Sequence, residues 1–327
     1  MPSPTPIAMV ALHGGFGGSF NLNQAINWCS LRYSSTLLTS IPSPHAFGEG
    51  LDVRKRPDST KAVLDEAKHL FICDCGGLVT LARYLSVQFG KDVQWKPSDP
   101  ASTPLYEWLG NKSLIFFWSG TIYSEMHEEI NAAVAKLPCV RRYAMCDLLR
   151  HDPPALPLMQ TYDNLAPIDR KFDEFTICHS PGKKYGADKK GSALIEAAIA
   201  EVALHLPVKA QVLKDIPHKK SLVIKAMCHI FVDQIASAAG GMGKSGLEAL
   251  CLGVPTLCDL RNATFAGYYA DMPALDVRDK NGLVEAIESL YRDPGRKMQL
   301  GRLCAAWAQR LKYEPTVKYL ERTMEWA

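Results

Sequence analysis

The sequence has 327 residues, of which 47% are hydrophobic and 22% are charged, and its formal net charge is +3. A chain of this length exceeds what one hydrophobic core usually supports, so two domains of roughly 150 residues each are expected. The charge is too small to indicate a dedicated nucleic-acid-binding protein, and no apolar run approaches the ~18 residues that span a membrane.

The cysteines and the N-terminus favour a cytoplasmic chain. The ten cysteines include no Cys-x-x-Cys pair, so we expect buried thiols in a reducing compartment rather than disulfides or zinc ligands. The sequence begins MPSPTP, with no basic segment before the first apolar run, which is atypical of a secretory signal.

Strands and helices alternate through the first half of the chain. Apolar runs predict strands at residues 7–12, 70–73 and 113–118, and helical spacing predicts helices at residues 22–31, 59–68, 78–89 and 125–137. Such alternation predicts a parallel, doubly wound sheet whose ligand-binding groups lie beyond the carboxyl ends of the strands. The candidate residues at two such ends are His13, Gly14, Gly15, Phe16, Gly17, Ser119, Gly120 and Thr121.

A proline-rich segment at residues 151–170 separates this half from a second alternation of strands and helices. Such a change in composition is typical of a connection between domains. We therefore predict a first α/β domain at residues 1–165, a second at residues 166–305, and a final helical segment at residues 306–327.

The stretch at residues 230–260 organises the second half. A short apolar strand meets a polar edge, a glycine-rich turn follows, and a helix begins directly after the turn. Such a turn offers backbone N–H groups and a helix N-terminus to a phosphate group. The residues that form this turn and the helix start are Gly240, Gly241, Gly243, Lys244, Ser245 and Gly246.

One interpretation of this turn is a phosphate-binding loop of an ATPase. The order Gly243, Lys244, Ser245 matches the end of that motif, but Ala238 stands where its first glycine is required. ATP hydrolysis therefore stays an alternative hypothesis.

A set of motifs in fixed order extends over residues 170–320. They are a strand that ends at His179, Ser180 and Pro181, the pair Lys190 and Gly191 before a helix, the strand end at Asp233, the glycine-rich turn, and the segment LEALCLGVP. This order resembles the donor domain of GT-B glycosyltransferases, closest to the retaining family-four type.

The resemblance implies two Rossmann-like, doubly wound α/β domains that face a central cleft, with the last helix packed back on the first domain. It also implies a hexosyltransferase-like enzyme that moves a sugar, with retention, from a nucleoside-diphosphate sugar to a hydroxyl acceptor. A UDP-sugar is the expected donor, and no permanently bound cofactor is expected. The sequence contains no Asp-x-Asp motif, so we expect chemistry without an obligatory metal.

Carried over by position, Glu248 would accept hydrogen bonds from the donor ribose, because one carboxylate can accept from two neighbouring hydroxyls. Lys190 would face the donor diphosphate, and Lys244 would add a second cation. Gly240 stands where the family usually has an earlier glutamate. The other expected donor contacts are His179, Ser180, Asp233, Gln234, Gly241, Gly243, Ser245 and Gly246.

The acceptor is left open between a glycan, a small molecule and, as a minority hypothesis, a hydroxylated DNA base. By the same resemblance, the first domain would present it with the turns at residues 13–19 and 118–121. A non-catalytic nucleotide-sugar binder or an epimerase is a further alternative, because either would use the same donor site.

Overall fold

The computed structural model describes residues 3–12, 18–40, 50–97, 99–119, 121–145, 148–152, 154–159, 161–163, 165–169, 171–181, 190–236 and 240–324. The chain divides into two compact units, the first comprising Met1–Thr161 with Tyr313–Ala327 and the second comprising Tyr162–Lys312. In the described part of the chain, no helix has the length and hydropathy needed to cross a membrane.

The first unit is built on a parallel sheet of seven strands in the order β3-β2-β1-β4-β5-β6-β7. The strands are β1 Thr5–Val10, β2 Tyr33–Thr39, β3 Leu51–Asp52, β4 His69–Cys73, β5 Leu114–Trp118, β6 Cys139–Ala144 and β7 Leu156–Pro157. The helices between them are α1 Gly18–Cys29, α2 Pro57–Glu66, α3 Asp74–Phe89, α4 Thr103–Leu109 and α5 Thr121–Val134. The first six strands follow the Rossmann order, which reverses between β1 and β4.

Strand β5 occupies the interior of this sheet, and all of its residues are buried. Helices cover both faces of a doubly wound sheet, which explains why the strand is an unbroken apolar run. Its last residue, Trp118, stacks on Tyr123 with ring centroids 4.5 Å apart. The Trp118 Nε1 donates to the buried Asp152 at 3.1 Å, and Arg142 pairs with the same carboxylate at 3.2 Å.

The second unit contains a parallel sheet of five strands in the order β12-β11-β10-β8-β9. The strands are β8 Phe175–His179, β9 Val208–Val212, β10 Ile230–Val232, β11 Thr256–Cys258 and β12 Leu275–Asp276. The helices are α6 Ser192–Ala203, α7 His218–Met227, α8 Lys244–Cys251, α9 Ala263–Tyr269, α10 Lys280–Arg292 and α11 Pro294–Trp307. Here the strand order reverses between β8 and β10, which is where doubly wound sheets bind ligands.

The last helix, α12 Tyr313–Met324, belongs to the first unit. Tyr313 and Val317 pack on Ala25 of α1, and Thr323 shares a 2.6 Å hydrogen bond with Tyr143 of β6. Trp307 lies within the predicted final segment at residues 306–327, but it ends α11 in the second unit, where its Nε1 donates to Asp271. A 3₁₀ turn at Ala308–Leu311 separates α11 from α12.

Several elements were missing from the sequence prediction, among them β2, β6 and α9. Strands β2 and β6 carry serine, threonine and arginine in place of an apolar run, and α9 has only seven residues. Strand β2 is stabilised by pairing with β1, and strand β6 by pairing with β5. Such pairing can outweigh the residue composition, because strand propensity depends strongly on the pairing partner.

Gly191 joins the start of α6 to the segment that follows β10. It adopts a left-handed conformation with φ +68°, and a Cβ atom there would lie 2.1 Å from the carbonyl oxygen of Ile235. The preceding Lys190 carbonyl accepts the Ile235 N–H at 3.1 Å. The close backbone approach therefore requires glycine at this position.

We expect Gly191→Ala to lower the free energy of unfolding by about 1–3 kcal/mol, because the new methyl group meets a backbone oxygen in a strained conformation. Urea denaturation measures the change. The matched control is Gly267→Ala in α9, where nothing lies within 4 Å of an added Cβ. That control should be neutral or raise stability by up to about 1 kcal/mol. Equal changes in the free energy of unfolding for the two substitutions would contradict the conclusion that position 191 requires glycine.

Candidate functional site

The candidate site lies at the carboxyl edge of the second sheet, where the strand order reverses. His179 ends β8 and pairs with Val232 of the neighbouring β10, so the residues that follow the two strands emerge side by side. Lys190 and Gly191 precede α6, and the glycine-rich turn leads into α8. The structure thus gathers the sequence-predicted donor residues around one edge.

Asp233 is fully buried and connects two of these segments. Its Oδ1 accepts from the Lys190 Nζ at 2.9 Å, and its Oδ2 accepts from the Gly243 N–H at 2.6 Å. Lys190 is therefore held against Asp233, and the start of α8 is held by the same carboxylate. Both oxygens of Asp233 are therefore engaged inside the protein.

The rest of the glycine-rich turn is fixed by the strand end as well. The Gln234 Nε2 donates to the Gly241 carbonyl oxygen. A Cβ atom at Gly246 would lie 2.6 Å from Met242 and 2.9 Å from an Asp233 oxygen, so glycine is required for close packing. Gly241 and Gly246 are buried and Ser245 is half-buried in the first turn of α8.

Gly240 has the positive φ of +54°, and an added Cβ would lie 3.3 Å from the Asn262 nitrogen. A side chain at this position would be strained and crowded. The local backbone therefore favours glycine at this position.

His179 is a buried residue that joins three elements. Its Nδ1 donates to the Val232 carbonyl at 2.9 Å, and its Nε2 accepts from the Ser192 hydroxyl at 2.9 Å. Burial lowers the pKa of His179, so the ring is neutral with the proton on Nδ1. Its neighbour Ser180 is half-buried beyond the end of β8.

The centre of the site is Glu248, which is 2% exposed in the middle of α8. Its Oε1 accepts from the His218 Nε2 at 2.8 Å, and its Oε2 accepts from the Lys225 Nζ at 2.7 Å. The Lys244 Nζ lies 3.9 Å from Oε1, one helical turn before Glu248. The carboxylate predicted to meet a ribose therefore has a protein partner on each oxygen.

Electrostatics set the charge of this cluster. Burial by itself raises the pKa of Glu248, but Lys225, His218 and Lys244 together hold it well below its usual range. Burial lowers the pKa of Lys244 to about 8, an effect that Glu248 opposes and Lys225 reinforces. Among the described residues, this cluster thus places two lysines around one ionised carboxylate.

His218 and Lys225 were absent from the predicted site. Both lie on α7, at its first residue and seven residues later, which puts them two helical turns apart on one face. Only the packing of α7 on α8 reveals the role of that face. The signal in the sequence was a lysine within the mainly apolar segment SLVIKAM, and the structure shows that this lysine, Lys225, is 1% exposed.

The predicted acceptor residues belong to the first unit. Ser119 is half-buried directly after β5, and Thr121 begins α5. His13, Gly14, Gly15, Phe16, Gly17 and Gly120 lie outside the described residues. Within the described ranges, no group of three or more His, Cys, Asp or Glu residues could hold a metal ion.

Neither a protein-family model nor a curated protein matches the sequence. Solved structures do match along nearly the whole chain. Sucrose-phosphate synthase from Thermosynechococcus elongatus has 12% identity and a TM-score of 0.59, with 98% of each chain covered. Anabaena HepE, in complex with UDP and glucose, has 10% identity and a TM-score of 0.62, with 99% of this chain and 100% of that chain covered.

A protein from Listeria monocytogenes assigned as a UDP-N-acetylglucosamine 2-epimerase is also similar, with 11% identity, a TM-score of 0.51, and 92% and 91% of the two chains covered. At such low identity, the matches establish the fold. The expectation from the sequence motifs is confirmed at that level: the chain has the two-domain, Rossmann-like α/β fold of the GT-B glycosyltransferases.

Proposed function

We propose that this protein is a glycosyltransferase that moves a sugar from a nucleoside-diphosphate sugar to a hydroxyl acceptor, with a UDP-sugar as the donor. The observation that carries the proposal is the cluster of Glu248, Lys225, His218 and Lys244 beside the N-terminus of α8, at the edge where the strand order reverses. The bound UDP and glucose of Anabaena HepE, a protein of the same fold, support the choice of donor.

The cluster has the charge that a diphosphate requires. Lys225 balances Glu248 in the interior, so the Lys244 ammonium, on a side chain 22% exposed, adds positive charge at the first residue of α8. The N-terminus of a helix adds partial positive charge of its own. Lys190 lies at the same edge, where Asp233 positions its ammonium group.

The same groups could stabilise the transition state. When the bond between the anomeric carbon and the diphosphate oxygen breaks, negative charge grows on the leaving diphosphate. Lys244 and the α8 N-terminus would meet that charge without rearranging, which is an effective form of electrostatic catalysis. We propose transfer with retention: the acceptor oxygen bonds to the anomeric carbon on the same face, and its proton passes to the leaving phosphate. This reaction needs no metal.

The geometry supports the phosphate-loop ATPase less well. In a phosphate loop, the backbone N–H groups and the lysine surround the nucleotide phosphates. Here the Gly243 N–H donates to the buried Asp233 in place of a phosphate. The epimerase alternative is favoured by one observation, the similarity to the Listeria protein.

We place the acceptor with the first unit, near Ser119 and Thr121. The acceptor classes are a glycan, a small molecule or a hydroxylated DNA base. DNA binding that weakens steeply with salt would favour the last of these, because phosphate contacts release counterions.

We expect UDP to bind without added metal, and Lys244→Met to weaken this binding by about 10- to 100-fold, as loss of a hydrogen bond to a charged group implies. Isothermal titration calorimetry with UDP, GDP and ADP measures the affinities. Lys209→Met is the matched control, because Lys209 lies near the amino end of β9 and pairs with Glu174. A requirement for ATP with magnesium, together with no UDP binding, would contradict the proposal.

The affinity for UDP should fall as the pH rises above about 8, because the protonated Lys244 binds the diphosphate and burial lowers the pKa of that amine to about 8. The bound diphosphate raises this pKa, so the dissociation constant should increase by up to about tenfold per pH unit until the pKa of the complex is reached. Titrations from about pH 7 to 10 would measure the slope. In Lys244→Met the contribution of this amine to the pH dependence should disappear. An unchanged slope in that variant would show that Lys244 does not cause the loss of affinity.

Product analysis separates transfer from epimerisation. A glycosyltransferase given UDP-glucose should release UDP while the glucose appears in a new glycoside, or slowly as free glucose through hydrolysis. An epimerase should change the configuration of the sugar, and a non-catalytic binder should return the donor unchanged. Chromatography and proton NMR of the sugar products distinguish these outcomes.

A further inference from the structure

The two hydrogen-bond partners of Glu248 differ in how firmly they are held. The Lys225 side chain is 1% exposed. Its Nζ also lies 3.4 Å from the Ser245 carbonyl oxygen and 5.0 Å from the centre of the Phe231 ring. Because separating a buried pair leaves two uncompensated charges, this contact is very costly to break.

His218 holds the other oxygen from a more exposed place. It is the first residue of α7, and its side chain is 17% exposed. The loop before it contains Asp215, a non-glycine residue with the positive φ of +55°, a conformation that is often found at binding sites. An imidazole at this position can exchange its hydrogen bond for one with water or a ligand at much lower cost than Lys225.

We propose that Lys225 anchors Oε2 of Glu248, whereas His218 occupies Oε1 until the ribose hydroxyls of a nucleoside diphosphate replace it. The inference rests on the proposed function and deepens it: Lys225 is a positioning residue, and His218 is an exchangeable partner that keeps the buried carboxylate satisfied in the empty site.

The position of Lys244 agrees with this exchange. Its Nζ lies 3.9 Å from the same oxygen, Oε1, that His218 occupies. A ribose on Oε1 would therefore bring the attached diphosphate next to the ammonium group of Lys244. One movement of His218 thus opens the position for the ribose beside the position for the phosphates.

The test compares the dissociation constants of UDP and of deoxyuridine diphosphate (dUDP), which lacks one ribose hydroxyl. Wild-type protein should bind UDP more tightly than dUDP by about 10- to 100-fold, the effect of one hydrogen bond to a charged acceptor. His218→Ala should bind UDP about two- to tenfold more tightly than wild type, since no protein hydrogen bond must be broken first. Its preference for UDP over dUDP should persist.

Lys225→Met should instead lose the preference, because Glu248 loses its anchor and the charge that keeps it ionised. A purely structural role for Lys225 would weaken UDP and dUDP equally and leave their ratio unchanged. If Lys225→Met fails to fold, Lys225→Met/Glu248→Gln replaces the ion pair with neutral groups of similar size. This variant should fold, as its thermal transition would report, and should bind both nucleotides with similar affinity.

The outcomes distinguish this inference from the function on which it rests. Equal binding of UDP and dUDP by the wild type would overturn the inference and leave the nucleotide site standing. A loss of UDP affinity in His218→Ala would overturn the exchange, and a full preference in the Lys225 variants would overturn the anchoring. Failure of the wild type to bind UDP, GDP or ADP would overturn the proposed function and this inference together.

Discussion

The ionised carboxylate of Glu248, buried in the middle of α8, is the constraint on which the second unit depends. A buried carboxylate is tolerated only with a cation and further hydrogen bonds, and Lys225 and His218 provide them at 2.7 and 2.8 Å. Both come from α7, so the charge pairing fixes how α7 packs against α8. The same pairing leaves the nearby Lys244 with positive charge to share with a ligand.

Asp233 imposes a second constraint of the same kind at the other end of the turn. It is fully buried, and it holds both the Lys190 ammonium and the Gly243 N–H. Gly246 permits this close approach because any side chain there would meet Met242 and Asp233. Asp233 thus fixes the turn before α8, whereas Glu248 joins α8 to α7, so a ligand would meet a turn that is already in position.

The sequence motifs anticipated much of this arrangement, and the reason is local. The Asp233 strand end, the glycines of the turn and the first residues of α8 follow one another within a short segment, so their proximity is a property of the chain itself. The partners of Glu248 are different. His218 and Lys225 precede it by 30 and 23 positions. Their spacing on α7 does not predict a contact with Glu248 unless the packing of α7 against α8 is known. A lysine within the mainly apolar segment SLVIKAM was the available signal, and it does not indicate the partner.

The sequence by itself determined the alternation of strands and helices, and hence two parallel sheets, because apolar runs and helical spacing are patterns among residues that are close in the sequence. It also determined which strand ends carry polar groups. The tertiary structure alone decided the strand orders, since pairing in β2 and β6 comes from distant neighbours. It alone decided the ionisation of the site as well, because the charges of Glu248 and Lys244 depend on burial and on cations that folding brings together.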